Sequence, residues 1–288
     1  MRISNRMLVQ STLRSIHRNL QSLSTAQEQA NSGRRIRSIS DGPIDAAQIM
    51  RLDAHIRSIA QYRRNTSSAE TRLSTEEGAL GSVRELLTQA KEMAMSGASD
   101  DPDDPLRQAA AVSLRQLRVQ LLSLGNTRIG DEYIFGGGET ADAPFLPDGS
   151  YVGDGLIREI AIDDAVQIET NHTGDQIFSP AIDAIDALLQ ELESGTAESI
   201  QATIPVLDDA QQLALLAESE IGIRLGQVRD ANDRLSSRSL NLEDRRDEAR
   251  DVDPAEAILK VMSAQSALER AYEMVGQVLS IDILDYMD

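Results

Sequence analysis

The chain has 288 residues and a net charge of −19, with no cysteine, no tryptophan, three phenylalanines and five tyrosines. The missing cysteines exclude disulfides, thiolate metal sites and cysteine nucleophiles, and the scarcity of large aromatics favours long packed helices over a compact aromatic core. No 18 apolar residues run together, and no apolar stretch precedes a small-residue cleavage site, so neither a membrane span nor a cleaved signal peptide is expected.

The charge is unevenly spread. Residues 1–72 carry 12 arginines against 5 acids, while the remainder holds 16 basic and 42 acidic residues. That acidic bulk disfavours nucleic acid as the main partner. The ends differ in sign, at +6 for residues 1–40 and −5 for residues 250–288, which favours pairing of the two termini in one register.

In chain order, Val9, Leu13, Ile16, Leu20, Leu23 and Ala30 recur at steps of three and four, interrupted by Gln27, and predict a first helix ending near Gly33. After the basic turn Arg34–Arg37, the stretch SISDGPIDAAQI reads as a restart, with Asp41 or Ser40 as cap and Pro43 in the first turn. Helical spacing then continues to about Ser96. Asp104 and Pro105 cap and open a third helix that carries Leu114, Leu117 and Leu121 to Gly125.

Between about Ile129 and Phe178 the pattern changes. YIFGGG, YVGDG, LIREIAI and VQIE, separated by Gly, Pro, Asp and Asn, predict short strands and turns. Helical spacing returns after Pro180 and becomes long from Ala202, with a seam running from Leu207 through Ala214, Ile221 and Val228 to Leu242. Asp253–Pro254 opens a last helix with an unbroken heptad seam of Ala257, Val261, Ala264, Leu268, Ala271, Val275 and Val278.

The expected fold is mainly α: an elongated bundle of long antiparallel helices with coiled-coil termini and a small β-rich central insert. The expected segments are an N-terminal coiled-coil helix and turn (1–40), the two halves of a helical rod (41–128 and 181–252), the insert (129–180) and a C-terminal coiled-coil helix (253–288). Two narrow terminal seams of opposite charge are expected to pair. A two-helix seam leaves flanks such as Met7, Leu8, Met262 and Leu279 uncovered, so further copies of the chain are expected to complete the burial.

The residues then resemble a known family. MRISNRM and SGRRIRSISDGPIDAAQ, with Gly33, Arg34, Arg35, Asp41 and Pro43, are similar to the N-terminal block of the flagellin-related axial proteins of the bacterial flagellum. Gly42 stands where that block usually has a second Asp. GDEYIFGGGETADAPF, HTGDQIF and the closing LSIDILDYMD resemble the hook–filament junction branch of this family more than filament flagellin, which usually ends in an Arg-terminated tail.

The resemblance implies a structural subunit between hook and filament that templates flagellin assembly, exported unfolded by the flagellar type III route without a cleaved signal and located outside the cell. It implies as partners flagellin, a hook-side hook-associated protein, further copies of itself in a ring and an export chaperone, with neither nucleic acid nor membrane. On that reading Val9, Leu13, Ile16, Leu20 and Leu23 meet Val261, Leu268, Val275 and Val278 on assembly. The bland alternative is an ordinary helix pair within one chain.

Other functions find less support. His17, His55 and His172 lack metal or triad spacing, and no catalytic residue, metal site or cofactor is expected, so the chain does not read as an enzyme. Gly136–Gly138 lacks the Gly-Lys-Ser/Thr of a phosphate loop and reads as a turn. Asp100, Asp101, Asp103 and Asp104 depart from a calcium loop and read as caps. Arg34, Arg35 and Arg37 read as salt-bridge partners in an assembly. The remaining alternatives are filament or minor flagellin and, from another class, a cytosolic coiled-coil scaffold or signalling protein.

Overall fold

The computed structural model describes the backbone of residues 2–101 and 103–287 and the side chains of residues 7, 10–101 and 103–276. Among the described residues seven α-helices carry most of the structure: α1 Arg2–Ser32, α2 Pro43–Ser96, α3 Pro105–Gly125, α4 Gly174–Ser194, α5 Ala197–Ala202, α6 Ile204–Arg250 and α7 Pro254–Met287. Two antiparallel hairpins lie between α3 and α4, β1 Arg128–Ile129 with β2 Glu132–Tyr133, and β3 Glu159–Asp163 with β4 Val166–Glu169. The fold is mainly α with a small β insert, in agreement with the periodicity. The chain divides into two compact units, residues 1–58 with 239–288 and residues 59–238.

The breaks between helices follow local chemistry. α1 ends where Gly33 takes φ +67°, a left-handed conformation that glycine adopts without a Cβ penalty, and the Gly33 N–H closes on the Gln29 carbonyl at 2.9 Å. Asp104 accepts the Leu106 N–H at 2.9 Å ahead of Pro105. Asp253 accepts the Ala255 N–H at 2.7 Å ahead of Pro254. In each case a carboxylate satisfies an orphan donor, and proline occupies a position whose N–H has no intrahelical partner.

Asp41 departs from the expected role. Instead of capping α2 it closes the turn before it, accepting from the N–H groups of Arg37 at 3.0 Å and Ser38 at 2.8 Å around the single 3₁₀ turn Ile39–Asp41. Gly42 stands immediately before α2, and its carbonyl accepts the first helical bond from Ala46 at 2.8 Å.

The larger unit, residues 59–238, holds the main core. Leu73, Leu80, Val83 and Leu87 of α2, Leu114, Leu117 and Leu121 of α3, and Leu207, Ala214, Ile221 and Val228 of α6 are buried together with α4. The exposed backs of these helices carry the charges, and Lys91–Asp208, Arg84–Glu218 and Arg229–Glu70 link α2 to α6 along their flanks.

The three phenylalanines are concentrated where the insert meets the helices. Phe178 lies 4.6 Å from Phe135 and 5.7 Å from Phe145, ring centre to ring centre, and Tyr151 lies 5.2 Å from Phe145. A Cβ on Gly125 would lie 2.7 Å from the Phe145 ring, and one on Gly174 would lie 2.6 Å from it, so both glycines are required by close approach.

One expectation needs correction here. Helix α4 begins at Gly174, ahead of Pro180, which lies inside it. An internal proline costs about 3 kcal/mol, but the early start buries Ile177 and Phe178, each worth about 1.5–3 kcal/mol. Burial therefore wins over the break. Of the four segments expected to form short strands and turns, VQIE and the EIAI of LIREIAI form β4 and β3, while YIFGGG gives Tyr133 to a strand and is otherwise turn, and YVGDG makes an isolated bridge, Tyr151 to Phe145. The reason is the Asp154 side chain, which accepts from the N–H groups of Gly138 at 2.6 Å and Leu156 at 3.1 Å and folds both segments into turns.

Candidate assembly surface

The smaller unit contains the paired terminal helices and the two turns that precede or follow them. α1 packs along α7. On α7 the buried positions are Ala257, Ala264 and Ala271, with Val261, Leu268 and Val275 half-buried between them, so small and large residues alternate along the heptad seam. Alanines at every seventh position let the two backbones approach closely.

On α1 the covered positions Thr12, Ile16, Asn19, Leu23, Ala26 and Ala30 again recur at steps of four and three, with Ser15 and Gln29 half-buried beside them. Asn19 donates from Nδ2 to the Ala267 carbonyl at 3.1 Å, a polar contact inside the seam that pins its register.

This divides the expected stripe in two. Ile16 and Leu23 face the α7 seam, whereas Leu13 is 50% and Leu20 40% exposed. The Val9 and Val278 side chains lie outside the described residues. Val261, Leu268 and Val275 are in the seam as half-buried residues. Apolar periodicity alone missed Thr12, Asn19 and Ala26, because both sets share Ile16, Leu23 and Ala30 at heptad spacing and the apolar Leu13 and Leu20 drew the stripe to the other side.

Outside the seam, α7 exposes Ile258, Met262 and Tyr272, and helical geometry places them with Glu269 on one flank at steps of four, seven and three. α1 exposes Leu13 and Leu20 with His17 between them. Among the described residues no ion pair joins α1 to α7. Arg18 of α1 and Glu269 and Glu273 of α7 are exposed.

The segment from Gly33 to Pro43 forms the corner that holds this pair to the inner helices of the same unit. Arg34 and Asp251 make an antiparallel bridge, Val252 N–H donates to the Gly33 carbonyl at 3.0 Å, and Arg35 and Ile36 N–H groups both donate to the Arg250 carbonyl, at 2.7 and 3.2 Å. The Arg35 guanidinium reaches Asp45 at 2.7 Å and the Ala249 carbonyl at 2.9 Å, and Arg37 pairs with Glu28. Arg35 and Arg37 are thus tied within the chain, while the Arg34 side chain points to solvent. Backbone N–H groups of Ser38 and Arg37 hold the Asp41 carboxyl below the usual carboxylate range, and Pro43 opens α2. Ile36, Ala46 and Ile49 form a small buried cluster under this corner.

The remaining candidates have structural roles. Asp100 accepts the Ala197 N–H at 2.8 Å and Asp101 the Asp103 N–H at 3.0 Å, so with Asp104 they act as caps. No group of His, Asp or Glu placed to hold a metal occurs among the described residues. His17 and His55 are exposed, whereas His172 is buried. No helix among the described residues is long and apolar enough to cross a membrane.

Residues 3–140 match the bacterial flagellin N-terminal helical region. The chain is 26% identical to flagellar hook-associated protein 3 of Escherichia coli, with 95% of both chains covered. It resembles flagellar hook-associated protein 3 over nearly its whole length. The likeness to a flagellin of Halalkalibacterium halodurans is 27% and covers 70% of this chain and 78% of that one. In fold, the crystal structure of Bacillus cereus FlgL superimposes with a TM-score of 0.62 at 20% identity, covering 68% of this chain and 99% of the other. The relationship is therefore to a flagellar component, and it extends from the helical ends through the β insert.

Proposed function

We propose that this chain is a structural subunit of the bacterial flagellum, placed between hook and filament, where it presents the surface on which flagellin begins to assemble. The observation that carries the reading is coverage: the match to hook-associated protein 3 takes in 95% of both chains, insert included, whereas the flagellin match takes in less of each. The work is mechanical. A junction subunit has to bind unlike neighbours on its two sides, which calls for heterologous interfaces.

The proposed interfaces are the flanks left open on the terminal pair. Leu13 and Leu20 of one copy, with the arginines of its α1, face Ile258, Met262 and Tyr272 of a neighbour, with Glu269 and Glu273. The inner seam, with Ile16, Leu23, Val261, Leu268 and Val275, holds each copy's own pair together. Flagellin, a hook-side hook-associated protein and further copies of this chain are the proposed partners. The protein is exported without a cleaved signal, and an export chaperone covers the α7 seam beforehand. Its role is structural, with no catalysis.

A second reading, a minor flagellin, draws on the flagellin N-terminal region at residues 3–140. Deleting the gene in its own host separates the two. Hooks without filaments, together with unpolymerised flagellin in the medium, are expected of a junction subunit. Missing filaments with no escaped flagellin indicate the filament subunit, and normal filaments indicate a role away from the flagellum.

A further inference from the structure

His172 lies in the segment that joins β4 to α4, within the larger unit. Its backbone N–H donates to Oε1 of Glu76 at 2.8 Å, and its ring Nδ1 lies 2.7 Å from the same oxygen. Glu76, on α2, is only 1% exposed. A carboxylate that deep in the protein depends on those two donors in place of water.

The other ring nitrogen meets two groups of opposite kind on α6. Nε2 lies 3.2 Å from Oε2 of Glu220 and 3.5 Å from Nη1 of Arg224. Carrying a proton, it can only donate, and Glu220 is the partner. Without the proton it can only accept, and Arg224 is the partner. The two contacts are alternatives selected by one proton.

We propose that His172 is a proton-operated clasp on the insert. With both ring nitrogens protonated, it ties the β4–α4 connection to α2 through Glu76 and to α6 through Glu220. On losing the Nε2 proton, it keeps Glu76 and exchanges Glu220 for Arg224.

The surrounding charges favour the protonated form. Arg224 is already held by Glu169 of β4 at 2.5 Å, and on the α2 side Arg72 is held by Glu132, which also pairs with Arg158. Arg224 also lies 3.7 Å from Glu220 and opposes a charge on the ring, while the carboxylates of Glu76 and Glu220 favour it. Burial opposes the imidazolium, but the Glu76 and Glu220 contacts outweigh it, and the ring's pKa lies above its ordinary 6.5. A folded-state pKa raised above the unfolded one adds stability that is fully present below about 6.5 and is lost as pH rises through the folded value.

Histidine ring NMR on the full-length chain tests the clasp. His17→Gln and His55→Gln, both at exposed sites, assign the His172 signal by elimination. Its midpoint is expected above 6.5, and Glu220→Gln, whose side chain is 59% exposed and removable without burying a cavity, is expected to move it down. Protection of the amides of residues 170–173, corrected for the intrinsic rise of exchange with pH, is expected to fall across the same pH interval. A midpoint at or below 6.5, a midpoint indifferent to Glu220→Gln, or exchange that ignores the ring titration overturns the proposal.

Discussion

Arg107 is wholly buried, yet no carboxylate answers it. Its guanidinium donates to four carbonyls: Leu192 at 2.6 Å, Glu191 at 2.7 Å, and Ser99 and Gly195 at 2.8 Å. Three of these belong to the end of α4 or the residue after it, where the helix dipole is negative and the last carbonyls lack helical donors. Arg107 therefore serves as a buried C-cap that also fixes the loop before α3. Replacing it with Met fills much of the space but removes the guanidinium donors from the Leu192, Ser99 and Gly195 carbonyls, while Glu191 keeps the Gly195 N–H at 2.8 Å, and a loss of about 3 kcal/mol is expected in urea unfolding. Lys, with a compact ammonium, should recover only part of it.

Asp41 acts at the same scale through titration. Its pKa is depressed by the Ser38 and Arg37 N–H groups, so its contribution is present above the unfolded value of about 3.8 and disappears as pH falls through the lower folded value. Asp41→Asn is expected to speed amide exchange at Arg37 and Ser38 at neutral pH, and the difference from wild type should close in strong acid.

At the scale of elements, the terminal helices have two faces with different work. The α1–α7 seam is built from alanines and half-buried Leu, Ile and Val, with Asn19 setting register. Leu23→Asp or Leu268→Asp places a charge in that seam, and limited proteolysis is expected to cut the free terminal helices sooner. Leu268→Ala should cost about 1–2 kcal/mol, less than a fully buried leucine, because the side chain is only half covered. Leu20→Asp and Met262→Asp sit on the open flanks. They are expected to leave the pair as protease-resistant as wild type while reducing incorporation into flagella, measured by immunoblot of isolated hooks and by swimming. Equal loss from seam and flank variants would merge the two faces into one.

For the whole molecule, composition and charge place limits that packing then uses. The three phenylalanines gather where the insert meets α3 and α4, so a few aromatics anchor the one region that is not long helix. Tyr151 belongs to this cluster; its hydroxyl lies 3.0 Å from both the Phe135 and the Asp154 carbonyls, which share its one proton. Burial, with Asp175 nearby, pushes its pKa to about 12, and ultraviolet titration should find its ionisation only there. The proposed chaperone adds a test of the chain as an export substrate. Val275→Asp is expected to weaken chaperone binding and secretion together, and an unchanged affinity would remove the α7 seam as the binding surface.

The sequence by itself determined the helices, their breaks and most of their buried faces. The α6 seam through Leu207, Ala214, Ile221 and Val228 was legible because period and burial are set locally, and the starts of α3 and α7 were legible because Asp-Pro caps act within a few residues. Tertiary structure alone decided which side of α1 faces α7, since Leu13 and Leu23 are equally apolar and only the partner's alanines select Ile16, Asn19 and Leu23. It alone carried α4 back across Pro180, where the burial of Phe178 outweighs a local break. It alone brought His172 to Glu76 and Glu220, residues 96 and 48 positions away in the chain. Such contacts depend on three separate elements converging, and no spacing in the sequence encodes that.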